Sequence, residues 1–172
     1  MQVLREVGEG RAAAGVLPLP QQDDAHPWWP MLLAREADAL RVIARLPFVP
    51  GALTHTTQEA LVIGRAPTES SGSDRSLVVL ELSEQVSRAT VRRRIEAAGF
   101  DCRFLQLGLQ QGGERWLSLV DVDGIGASVD ERVPKLSGAL GPKALHLPSV
   151  GSPSVPLALA ELGVAGGQEA AQ

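Results

Sequence analysis

Three histidines, His26, His55 and His146, are the side chains best suited to hold a metal or to move a proton near neutral pH. They lie far apart and none has the spacing of a zinc site, so no metal is expected. Asp23 and Asp24 are adjacent carboxylates that could share acid–base work, but within Gln21-Gln-Asp-Asp24 they read better as a solvated loop. Cys102 is the single cysteine, so no intrachain disulfide can form. Nothing in the sequence sets a base beside it, and it reads as packing. Arg92, Arg93 and Arg94 could grip an anion, yet in a helix they read as a solvated face. Trp28-Trp29 between prolines offers either a docking knob for a partner or a cover over a sheet edge, and the cover is preferred. Thr54-His55-Thr56-Thr57 has no positioned partner and reads as loop. No catalytic residue is assigned on these grounds, and no cofactor is expected.

The elements that would position any site centre on residues 74–150. Ser76-Leu-Val-Val-Leu-Glu-Leu82 is an apolar run of strand length. Its two alternating sets, Leu77, Val79, Glu81 and Val78, Leu80, Leu82, are both mostly apolar, as in a central strand covered on both sides. Glu84 to Ala98 reads as a helix, with Val86, Ala89, Val91, Ile95 and Ala98 as its apolar stripe. Ser83 stands where its N-cap would be and Gly99 suits the position after its last turn. Strands are predicted over Arg103-Phe-Leu-Gln-Leu107 and Arg115 to Val122, joined by a turn at Gln110-Gln-Gly-Gly113. A second helix is predicted near Ser128 to Leu140, shortened or kinked by Pro134, and a last strand over Lys143 to Leu147. The order is β-α-β-β-α-β, a ferredoxin-like arrangement.

Upstream, Val3 to Gly15 has a helical pattern weakened by Gly8 and Gly10, and Gly15-Val-Leu-Pro-Leu19 reads as a buried strand. Met31 to Ala39 is a helix candidate, with Pro30 suited to its first turn. Leu40 to Leu46 and Glu59 to Gly64 are further strands. The fold class is thus mixed α/β (α+β), divided into a segment 1–65, a linker 66–73, a domain 74–150 and a partly disordered tail 151–172. The 172 residues suffice for a real core, and 44% apolar content marks a globular chain. A net charge of −4 gives no sign of a nucleic-acid surface. No apolar run is long enough to span a membrane and there is no signal peptide, so a cytoplasmic location is expected.

Several stretches in order resemble one enzyme family. Val62-Ile-Gly-Arg65, Ser71-Gly-Ser-Asp-Arg-Ser-Leu-Val78, Gly99-Phe-Asp101 and Val120-Asp-Val-Asp-Gly124 are similar to the join between the catalytic and regulatory parts of prephenate dehydratases. Val7 to Leu19 is similar to that family's Gly-Glu-Ala-Asp-x-Gly-Val-x-Pro-Ile region, and Leu40-Arg-Val-Ile-Ala-Arg-Leu-Pro47 to the segment beyond it. The resemblance covers about residues 3 to 150. It implies a reduced prephenate dehydratase-like α/β segment followed by an ACT domain, a ferredoxin-like unit that binds amino acids.

The departures bear on activity. The family's Glu-Asn-Ser/Thr falls on Pro20, Gln21 and Gln22, and its Thr-Arg-Phe on Glu59, Ala60 and Leu61. The hydroxyl that assists loss of water and the arginine that grips a substrate carboxylate are therefore both missing. Where the family inserts most of a second lobe, only Phe48 to Gln58 is present, too little for the other wall of a cleft. In the ACT part the effector motifs fall near Val86, Ser87 and Arg88 and near Gln106 to Leu109, and neither survives. The resemblance then implies a non-catalytic regulatory or interaction region of aromatic amino-acid (phenylalanine) biosynthesis. Effector candidates are Ser83, Glu84, Gln85, Val86, Ser87 and Gln106. The partners expected are an amino-acid effector and a second copy docked through the ACT-like domain, because one apolar face of Leu77 to Leu82 would lie open unless a partner or the N-terminal segment shields it. An upstream chorismate mutase domain would fit an abrupt start inside a helix. The alternative is part of an active bifunctional chorismate mutase/prephenate dehydratase that converts prephenate to phenylpyruvate.

Overall fold

Strand β4, Arg75–Leu82, is buried along nearly its whole length, and the chain is laid out on its two faces. The structure, a computed structural model, describes residues 2–22, 24, 26–33, 39–49, 59–65, 74–111, 115–123, 132–142, 144–146 and 149–156. Within them lie α1 (Gln2–Gly8), β1 (Ala14–Pro18), a 3-10 turn (Trp29–Leu33), β2 (Arg41–Leu46) and β3 (Ala60–Gly64). After β4 come α2 (Arg88–Ala97), β5 (Cys102–Gln111), β6 (Arg115–Asp123), α3 (Arg132–Leu140), β7 (Ala144–His146) and β8 (Ser149–Gly151). The strands form one sheet in the order β1-β3-β2-β8-β4-β6-β5, with β7 also pairing β4. Every pair is antiparallel except β2 with β8, which meet in parallel at Val42 and Gly151.

Alternation along β4 builds two cores. Val78, Leu80 and Leu82 face the helices and pack with Val91, Ile95, Phe100, Leu136 and Leu140. Leu77 and Val79 face the other way and pack with Leu4, Trp28, Trp29, Leu32, Val42, Leu61 and Ile63. Both faces of β4 are therefore covered within one chain. Of the two covers expected for the second face, a partner or the N-terminal segment, it is the N-terminal segment that lies on it. Trp28 and Trp29 are core residues of that layer, at 7% and 0% exposure, rather than a docking knob or an edge cover. Each indole N–H finds an acceptor, Pro18 O at 3.1 Å and Gln106 Oε1 at 2.6 Å, as burial of such groups requires.

Other expectations shift in detail. The first helix stops at Gly8, and Gly10 adopts a positive φ of 74° before β1 begins. The helix expected from Met31 is a 3-10 turn starting at Trp29, and residues 34–38 lie outside the described residues. Helix α2 starts four residues late, capped by Ser87 and not Ser83. The reason is local: Ser87 accepts from Thr90 N, and Val86 just before the cap shares a core with Val91, a hydrophobic staple. Its other end is as expected. Gly99 at φ 88°, with Gly99 N–H to Glu96 O and Phe100 N–H to Ile95 O, forms a Schellman close. Strand β5 runs on through Gln111, so Gln110 and Gln111 of the expected turn lie in the strand, and 112–114 fall outside the described residues. Helix α3 starts late, at Arg132, with Pro134 in its first turn. Strand β8 was not expected. The boundary drawn at Val150 falls inside it, and Ser152 and Pro153 beyond it are buried. Residues 157–172, expected to be disordered in part, lie outside the described residues.

Candidate functional site

The loop after β4 holds five of the six sequence-derived effector candidates. Ser83, Glu84, Gln85 and Ser87 are exposed, and Val86 is half-buried against the helix-side core. Ser87 is occupied as a cap: its hydroxyl accepts from Thr90 N at 3.3 Å and donates to Thr90 Oγ1 at 2.9 Å. Gln106 stands apart from them, on the opposite face of the sheet. It is 3% exposed, its Oε1 takes the Trp29 indole N–H, and its Nε2 donates to Asp24 O at 3.0 Å. Both ends of that amide are engaged inside the chain, so the loop and Gln106 do not form one pocket.

The positions that match the dehydratase motifs are also structural. Glu59 Oε2 takes an N–H of Arg45 at 2.9 Å. Ala60 lies between Pro18 and Leu46 in the sheet, and Leu61 is 1% exposed in the core. Pro20 is buried, while Gln21 and Gln22 are exposed, the latter accepting from Arg88. Among the described residues, no three His, Cys, Asp or Glu side chains gather as a metal site. Burial pushes the Cys102 thiol up to about 12, far from the range of a reactive thiolate.

A charged cluster escaped the sequence reading. Asp121 on β6 is completely buried, and each of its carboxylate oxygens takes a guanidinium N–H: Oδ2 from Arg45 at 2.9 Å, Oδ1 from Arg75 at 2.5 Å. Arg75 also donates to Asp101 Oδ2 at 2.9 Å, and Arg45 to Glu59. The Arg75 side chain thereby holds the Asp101 carboxyl below its ordinary range, against a small opposing effect of burial. Burial works against the charge of Arg75, but its hydrogen bonds and charge pairing with Asp121 and Asp101 raise its pKa. Three carboxylates thus surround two guanidiniums, and the cluster ties β2 to β4 and β6, with Glu59 just ahead of β3. Arg45 Nε is buried without a hydrogen-bond partner. The cavity beside the cluster, closed by Pro153 to Pro156, is about 10 Å³, the size of one water and far below a metabolite. The signal lay in the strand pattern: Arg45 and Asp121 each interrupt an apolar strand, and Arg75 opens one. Which of them would meet depends on strand order, which alternation does not encode.

No protein-family model matches the chain, and no curated protein matches it in sequence. Solved structures do. A protein described as "GqqA- a novel type of quorum quenching acylases" superposes with a TM-score of 0.59 at 16% identity, over 90% of this chain and 78% of that one. Prephenate dehydratase from Streptococcus mutans superposes with a TM-score of 0.58 at 11% identity, over 92% of this chain and 82% of that one. The chain has a prephenate dehydratase-like fold. At such identities the likeness speaks for the mixed α/β architecture alone, and neither protein's activity passes to this chain with it. Within this prephenate dehydratase-like fold, no helix among the described residues is long and apolar enough to cross a membrane.

Proposed function

We propose that this chain is a non-catalytic regulatory or interaction region of a cytoplasmic protein of aromatic amino-acid (phenylalanine) biosynthesis, with residues 74–150 as its ACT-like domain. The observation that carries this reading is the state of the dehydratase motif positions. Glu59, at the hydroxyl's position, is paired with Arg45, and Ala60, at the cation's position, is held in the sheet between Pro18 and Leu46. Neither supplies the hydroxyl or the free cation that dehydration of prephenate calls for. The effector site in this reading is the loop Ser83 to Ser87, without Gln106, whose amide is already satisfied.

That loop has no glycine to let a ligand reach the backbone, and its serine at 87 is a cap. Phenylalanine is therefore expected to bind no more tightly than about 1 mM, roughly 4 kcal/mol. Calorimetry checks this, and saturable micromolar binding lost on changing Ser87 to a bulky residue would contradict it. A thermal-stability screen against the other amino acids would reveal an effector, since a ligand of the folded state raises the midpoint with the logarithm of its concentration. Homodimerisation through residues 74–150 belongs to the same proposal. Its route is the outer edge of β5, the last strand of the sheet, because the faces of β4 are taken. Catalysis itself is tested by direct assay with prephenate.

A further inference from the structure

A groove opens at the β1 end of the molecule, where α1 meets the chain entering β2. Gln2, Leu4 and Arg5 of α1, Met31 of the 3-10 turn and Leu40 line it. Its volume is about 400 Å³, within the usual range of small-molecule sites. The floor is apolar: Leu4 is 3% exposed and Leu40 half-buried, while Met31 stands 50% exposed at the mouth. Met31 is the kind of flexible, polarisable side chain that moulds itself to an apolar guest.

The electrostatics of α1 select the guest. Glu6 and Glu9, the acidic residues of this stretch, are both taken by Arg11. Arg5 is exposed, and its side chain has no hydrogen bond or ion pair among the described residues. A guanidinium whose N–H donors are unengaged, at the rim of an apolar groove, matches one planar anion, which it can hold through two N–H bonds. A phosphate dianion or a dicarboxylate would carry a second charge over Leu4 and Leu40 with no second cation to meet it among the described residues that line the groove.

We propose that this groove binds a small organic monocarboxylate with an apolar body, its carboxylate on Arg5 and its body against Leu4, Leu40 and Met31. The site is independent of the Ser83 to Ser87 loop, which follows β4, four strands away from β1 in the sheet. Its fate is therefore separate from that of the effector reading.

The test uses octanoate, with octan-1-ol and octylammonium as isosteric controls, titrated into the full chain by calorimetry. Octanoate is expected to saturate one site and octylammonium to give no binding, with octanol at least about tenfold weaker, the scale of a charge-assisted hydrogen bond. Arg5→Gln should weaken octanoate about tenfold and leave octanol unchanged. Met31→Trp, placed on an exposed side chain outside the core, should fill the mouth and weaken both, with an unaltered thermal midpoint as evidence of folding. Equal affinity for octanoate and octanol, octanoate binding indifferent to Arg5→Gln, or binding untouched by Met31→Trp would each overturn the proposal.

Discussion

At the scale of single residues, Asp121 carries more consequence than any other side chain described. Removing one partner of a buried ion pair leaves charge without compensation, which typically costs about 3–5 kcal/mol. Asp121→Asn leaves Arg45 with Glu59 and Arg75 with Asp101, both exposed carboxylates, as their remaining charge partners, so a loss at the low end of that range, about 3 kcal/mol, is expected from denaturant unfolding. Arg45→Met should cost less, because Asp121 keeps Arg75. Asp101 gives a pH signature. Its carboxyl is held below the ordinary value of 3.8 by Arg75, so the folded state binds its proton less readily than the unfolded state. The stabilisation is present above about pH 4 and is lost as pH falls below that through the depressed folded value. NMR titration of the Asp101 carboxyl should show this depression, and Arg75→Gln should return it towards the ordinary value. Cys102, with its thiol pushed up to about 12, should not react with a disulfide reagent at pH 8 until the chain unfolds.

Elements were legible where one physical signal governs them. Apolar runs of strand length marked β2, β3, β4 and β6, and Gly99 marked the end of α2, because run length and positive φ are local properties. The start of α2 was misplaced because Ser83 and Ser87 are equally good caps in isolation. Val86 and its core partner Val91 decide between them, and that contact is visible only once α2 sits on the sheet. Substitution separates the two serines: Ser87→Ala should cost about 1 kcal/mol and Ser83→Ala within about 0.5 kcal/mol of nothing. Strand β8 was missed because Ser149-Val-Gly151 is three residues long, with a proline on either side at 148 and 153. Its position is nonetheless specified by Gly151. A Cβ there would lie 2.3 Å from Val42 O and 2.6 Å from Val42 Cβ, so only glycine lets β8 enter beside β2. Gly151→Ala is expected to separate the two halves of the sheet. Hydrogen exchange would show it as lost protection at Val42 and at Leu77, the two residues paired with Gly151.

On the scale of the whole molecule, β8 and the Asp121 cluster make one sheet out of what the sequence divides into two segments. That division followed composition, and the Pro, Ser and Gly content of 66–74 is real. Composition does not reveal that a strand from the far end of the chain returns to bridge β2 and β4. The face of β4 turned away from the helices is covered by the N-terminal segment, the two tryptophans included. A dimer, if formed through the outer edge of β5, should give twice the chain mass by light scattering at tens of micromolar, and a monomer mass there would count against that part of the proposal. The central claim is that the fold is kept while the chemistry of prephenate dehydration is absent. A positioned acid–base group is worth about a hundred- to ten-thousand-fold in rate, so its loss is measurable. The most direct measurement is the appearance of phenylpyruvate from prephenate with the purified chain at neutral pH. The expected result is a rate no greater than the spontaneous one; phenylpyruvate formed well above that background, and abolished by denaturing the protein, would contradict the account.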